Sequence, residues 1–170
     1  MSYYQGWQAD IAQARDSVKG FFDTPPLREC IEYAITEAGE LLDADLRLRR
    51  PGDDRTRPRD DVGKEIGQIV FMVGSALNHV NKEIPWPYSD AAMPQTVKDM
   101  FANEDSGGLA VFIVQALCDA HCNIDDTDLM CDFLYCAIVG VIAFAVLRGH
   151  YPIGELYEWL AELMDRKPQS

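Results

Sequence analysis

The sequence predicts an all-α protein, a single antiparallel helical bundle covering residues 1–170. Three observations carry this. Apolar residues recur at three- and four-residue steps in several long stretches, which marks helices with one buried face. The chain's Gly and Pro residues fall mainly between those stretches, where they act as breaks. One segment, residues 133–147, is almost uninterrupted apolar sequence, as expected of a central core helix.

In chain order, residues 4–18 read as a first helix, with Trp7, Ile11, Ala14 and Val18 on one side. Gly20 and the run FFDTPP turn the chain into the second helix, residues 27–50. Thr24 followed by Pro25 and Pro26 is a helix-start signal, because proline is tolerated in a first turn. Leu27, Ile31, Ala34, Ile35, Ala38 and Leu42 form its buried stripe. Tyr33, Thr36, Glu37 and Glu40 form a second stripe on another side. Asp43 with Arg47, and Asp45 with Arg49, have the spacing of ordinary surface ion pairs, worth about 0.2–0.5 kcal/mol each.

The charged run PGDDRTRPRD, residues 51–60, reads as an exposed loop. A third helix follows to about Val80, with Val62, Ile66, Ile69, Val73, Ala76, Leu77 and Val80 facing inward. Asp61, Lys64, Glu65, Gln68, Ser75 and His79 line its polar side. Three prolines between Ile84 and Gln95 exclude a continuous helix there. A short helix is expected over residues 96–102 and a break over residues 103–108. Three more helices are expected, over residues 109–122, 126–148 and 152–166. The fifteen-residue apolar run in the second of these is short for a membrane span, which needs about 20 residues.

The chain has 28 acidic and 15 basic residues, a net charge of −13. Such a surface repels nucleic-acid backbones and anionic membranes, so neither is an expected partner. The N-terminal sequence lacks the basic and apolar regions of a signal peptide. Five cysteines, an odd number in apolar or helical contexts, suggest free thiols and a cytoplasmic protein. Cys118, His121, Cys122 and Cys131 do not have the spacing of a common structural zinc site, and read as packing.

Glu37 and Glu40 lie three residues apart, so their Cβ atoms are about 5–6 Å apart and both carboxylates can reach one cation. Glu65 on the following helix is the third candidate ligand. By spacing alone, acidic residues on a helix are most often a solvated face.

The pattern as a whole is more specific. FFDTPPLRECIEYAITEAGELLDADLR, a charged loop and KEIGQIVFMV resemble the MazG-like all-α nucleoside triphosphate pyrophosphohydrolases, the superfamily that includes dCTP pyrophosphatase. The likeness covers residues 15–84 or so, with further helices after it. The family motifs are E-E-x-x-E and E-x-x-D. TEAGE falls on the first, with Thr36 in place of a glutamate, and EIGQ on the second, with Gln68 in place of the aspartate.

The resemblance implies Mg²⁺ held by Glu37, Glu40 and Glu65, with Gln68 offering a neutral oxygen. It implies hydrolysis of a (d)NTP to (d)NMP and pyrophosphate, with Glu37 as the general base, and a homodimer. Trp7 and Phe22 would pack on the base, and Lys64 and Arg50 would steady the triphosphate. The missing acids at positions 36 and 68 favour the alternative, a nucleotide-binding or scaffolding bundle with impaired catalysis. Residues 132–152 also follow the course of residues 68–85, with Asp132 opposite Gln68, a similarity mainly of apolar pattern.

Overall fold

A computed structural model describes residues 6–19, 25–50, 56–84, 86, 101–102 and 104–166. The described residues form six helices: α1 (Trp7–Val18), α2 (Leu27–Arg49), α3 (Thr56–His79), α4 (Ser106–Cys122), α5 (Thr127–Arg148) and α6 (Pro152–Asp165). No strand occurs among them.

Each helix forms where its periodicity placed one, and its ends have physical causes. α2 starts directly after Pro25–Pro26; Thr24 lies outside the described residues. α3 begins at Thr56, within the stretch expected to be loop. Pro58 does not prevent this, since a first-turn N–H has no helical partner to lose. α4 likewise starts at Ser106, before the expected residue 109, because the Asp105 carboxylate accepts from the Gly108 N–H at 2.8 Å. Asp126 caps α5 in the same way through the Leu129 N–H at 3.1 Å, and Gly149 ends that helix in the left-handed conformation, φ 75°. Of the short helix expected over residues 96–102, all but Phe101 and Ala102 lie outside the described residues, and those two are in a turn.

Three contacts fix α2 and α3 as antiparallel. His79 Nε2 lies 2.7 Å from the Pro25 carbonyl, Glu37 bonds Glu65, and Arg47 donates to Asp61 at 3.1 Å. α4 runs antiparallel to α2, with His121 against Glu32 at one end and Ser106 against Asp45 at the other. Lys82, just past α3, pairs with Asp128 at the start of α5. The two hairpins α2–α3 and α4–α5 therefore close a four-helix ring in which every neighbouring pair is antiparallel.

α1 and α6 pack outside this ring, against α3. Trp7, Ile11, Ala14 and Val18 are all buried, as the α1 pattern predicts. α5 is the apolar core helix, with ten of the twelve positions from Leu134 to Ala145 buried. At 22 residues it is longer than its purely apolar run, and long and apolar enough to cross a membrane by length and composition, yet 67% of its apolar window is buried inside the protein.

Asp45 corrects a sequence expectation. It is not a surface pair but fully buried, accepting from Arg49 at 2.8 Å, from Arg148 Nε at 2.6 Å and from the Ser106 hydroxyl at 2.8 Å. This network joins α2, α4 and α5. Asp43 and Arg47 do form the expected surface pair at 3.0 Å, and Arg47 also bridges to α3.

Two helical glycines should respond oppositely to alanine. A Cβ at Gly67 would lie 2.5 Å from the Glu155 carbonyl oxygen and 3.2 Å from Trp159 Cβ, so α6 must move away. Gly67→Ala is expected to destabilise by about 1–3 kcal/mol. At Gly39 a Cβ meets nothing within 4 Å. Gly39→Ala should stabilise by about 0.5–1 kcal/mol through helix propensity alone. Urea unfolding of both variants checks the opposite signs.

Candidate metal centre

The α2–α3 hairpin brings three carboxylates from two helices together. One oxygen from each of Glu37, Glu40 and Glu65 can be chosen so that all lie within 4.8 Å of one another. Among the described residues this is the one group of three or more His, Cys, Asp or Glu side chains so arranged. The cause is local. Glu37 and Glu40 sit one turn apart on α2, and the antiparallel packing sets Glu65 opposite them.

The three acids sit in different environments. Glu40 is exposed, Glu37 is half-buried, and Glu65 is 5% exposed. Burial pushes the Glu65 carboxyl up to about 8, helped by its hydrogen bond with Glu37 and by the negative charges of Glu37 and Glu40; the neighbouring Lys64 ammonium opposes the shift. Glu65 Oε2 is buried with no hydrogen-bond partner among the described residues. The Oε1 of Gln68, one turn further along α3, is in the same condition. Thr36 contributes nothing comparable, since it is exposed and its hydroxyl donates to the Glu32 carbonyl at 3.1 Å.

The donor set is all oxygen and mainly anionic, which suits a hard divalent cation. A cation would satisfy the unpartnered Glu65 oxygen and remove the carboxylate repulsion together.

The other sequence candidates do not converge on this point. Trp7 is core: its indole donates to the Ile84 carbonyl at 3.1 Å and its ring meets Trp86 edge-on at 5.3 Å. Arg50 lies just past the end of α2, about 15 Å along the helix axis from Glu40. Lys64 is exposed beside Glu65, and Phe22 lies outside the described residues.

One residue near the polar face of α3 was not foreseen. Arg15 reaches across from α1, stacks 4.1 Å over the Phe71 ring and donates to the Ser75 hydroxyl at 3.1 and 3.2 Å. Burial lowers its pKa. The hydroxyl and the ring belong to a neighbouring helix, so no spacing within α1 announces them. Elsewhere, all five cysteines are free, and Cys30 is buried with its thiol donating to the Pro25 carbonyl. Comparison with protein-family models, with curated proteins and with solved structures finds no match.

Proposed function

We propose that this protein is a Mg²⁺-dependent nucleoside triphosphate pyrophosphohydrolase built on a MazG-like bundle. The observation that carries the reading is the convergence of Glu37, Glu40 and Glu65 from two helices, with one buried oxygen of Glu65 left unpartnered. When bound, Mg²⁺ supplies charge neutralisation for the phosphates and acidifies water. Glu40 and Glu65 would hold the cation from opposite helices, with the Gln68 amide oxygen one turn away. Glu37 accepts the proton of the attacking water. Water adds across the α–β anhydride, giving (d)NMP and pyrophosphate. Lys64, exposed and next to Glu65 in the chain, would meet a phosphate oxygen.

The test is pyrophosphate release from a panel of nucleoside triphosphates, with Mg²⁺ and with chelator. The outcome expected is metal-dependent release, lost in Glu40→Gln. A nucleotide that binds with a thermal shift but is never hydrolysed would support the second reading, a nucleotide-binding protein with impaired catalysis. The exposed, backbone-bonded Thr36 favours that second reading, because it adds no ligand where the resembled motif has a glutamate. The homodimer is part of the same proposal and is read by sedimentation equilibrium.

Gln68 gives a sharper check of the same site. A carboxylate attracts a divalent ion where an amide offers only a dipole. Gln68→Asp is therefore expected to lower the melting temperature in chelator, by crowding a fourth acid beside the cluster, and to gain more than wild type from added Mg²⁺. Equal gains in the two proteins would remove Gln68 from the metal shell.

A further inference from the structure

On the opposite side of α3 from the carboxylate cluster lies a cleft of about 380 Å³, between α3, the α5–α6 turn and α6. Gly63 and Gly67 face α6 there, two residues either side of Glu65 and so about 200° around the helix from it. The cleft is lined by His150, Glu155, Trp159, Glu158, Arg59 and Lys64, among others.

Two buried polar groups in this lining lack partners among the described residues: His150 Nε2 and Trp159 Nε1. The His150 side chain is 9% exposed and Trp159 is 9% exposed. The imidazole is held from behind. Its Nδ1 lies 2.7 Å from Glu155 Oε1, and a carboxylate only accepts, so Nδ1 carries a proton and Nε2 is left over. The indole N–H can only donate. A buried donor without an acceptor is destabilising, so a ligand that supplies one is favoured.

The charges around the cleft narrow the ligand further. Glu155 is paired with His150, which neutralises it when the imidazole is protonated, and Glu162 is paired with Arg166, whose guanidinium lies 5.0 Å over the Trp159 ring. That leaves Arg59 and Lys64 balancing Asp60 and Glu158. In a chain with 28 acids and 15 bases, a balanced cleft is the less repulsive place for an anion.

We propose that this cleft is a second binding site, distinct from the carboxylate cluster, for a small oxyanion: a phosphate or carboxylate group that accepts from Trp159 Nε1–H and, when the imidazole carries its second proton, from His150 Nε2–H. Glu155 is a positioning residue, fixing the imidazole and offsetting its charge. The inference does not depend on the nucleotide reading, because the two groups that carry it, His150 Nε2 and Trp159 Nε1, have no part in that site; of the side chains named at the cleft only Lys64 is common to both.

The indole N–H of Trp159 is the reporter. The chain has three tryptophans, so three indole cross-peaks appear in a ¹H–¹⁵N spectrum, and Trp159→Phe assigns one while keeping the ring packing against Phe71. Wild-type protein is titrated with inorganic phosphate and separately with acetate, at ionic strength matched by chloride, up to about 20 mM, which covers millimolar affinities. The expected result is saturable movement of the Trp159 peak, with Trp7 and Trp86 unmoved, and binding at least about tenfold weaker in His150→Gln. The arm that saturates at lower concentration identifies the oxyanion. A Trp159 peak that stays still in both titrations, or moves equally with chloride, overturns the site and leaves bound water as what satisfies the two groups.

Discussion

Asp45→Ala is expected to destabilise the protein by about 3–5 kcal/mol, a large part of the 5–15 kcal/mol by which a domain of this size is stable. Asp45 is fully buried and gathers Ser106, Arg49 and Arg148 at the end of the bundle where α2, α4 and α5 meet. Alanine leaves two cations facing one another without their anion, and a void where the carboxylate was. Both arginine side chains are partly exposed, 36% for Arg49 and 26% for Arg148, so they can turn to water; this holds the loss toward the lower end of that range. Asp45→Asn keeps the volume and one acceptor oxygen, and should lose less. Denaturant midpoints of the two variants measure the difference. A loss under about 1 kcal/mol for alanine would mean the network is a surface pair after all.

Glu65 governs the second large effect, which changes sign with the cation. Its folded carboxyl titrates near 8 against an ordinary value of 4.5, so the folded state holds a proton that the unfolded state has already released. Below the ordinary value both states are protonated and there is no cost. Between the two values the cost grows by about 1.4 kcal/mol per pH unit, and above the folded value it is complete. With chelator present, stability should therefore fall from about pH 5 to pH 8, and Glu65→Gln should flatten that slope. A divalent cation must displace the same proton. Its affinity is then expected to rise about tenfold per pH unit below pH 8, with about one proton released per ion bound. Thermal melts across this range, with chelator and with Mg²⁺, for both proteins, read every part of this. A wild-type curve as flat as the glutamine variant's would show that Glu65 is ionised without strain, and the case for a cation there would fall with it.

The carboxylate cluster was legible because its determinants are local. Glu37 and Glu40 are neighbours on any helix, and Glu65 reaches them once two antiparallel helices with matching apolar stripes are joined by a short connection. Helix ends were less legible. The charged run before Asp60 and the glycine pair at positions 107–108 look like loop, but Thr56 and Ser106 already lie within helices. In the second case the Asp105 side chain secures the first turn, a single hydrogen bond that composition does not announce.

By itself the sequence determined the helical class, through 3.6-residue periodicity, and the apolar stripes by which α1, α2 and α3 face the core. Only the tertiary structure decided which charged groups lose their water. Asp43 and Asp45 stand in the same relation to Arg47 and Arg49, yet the first is exposed and the second fully buried, because α4 and α5 bring Ser106 and Arg148 over only one of them. His150 and Glu155, five residues apart across a turn, likewise acquire a shared cleft only when α6 packs on the glycines of α3. Spacing along one helix fixes which groups are neighbours on it. How strongly a charge is held, and what it must pair with, depends on solvent removed by other helices, which pattern within the helix does not encode.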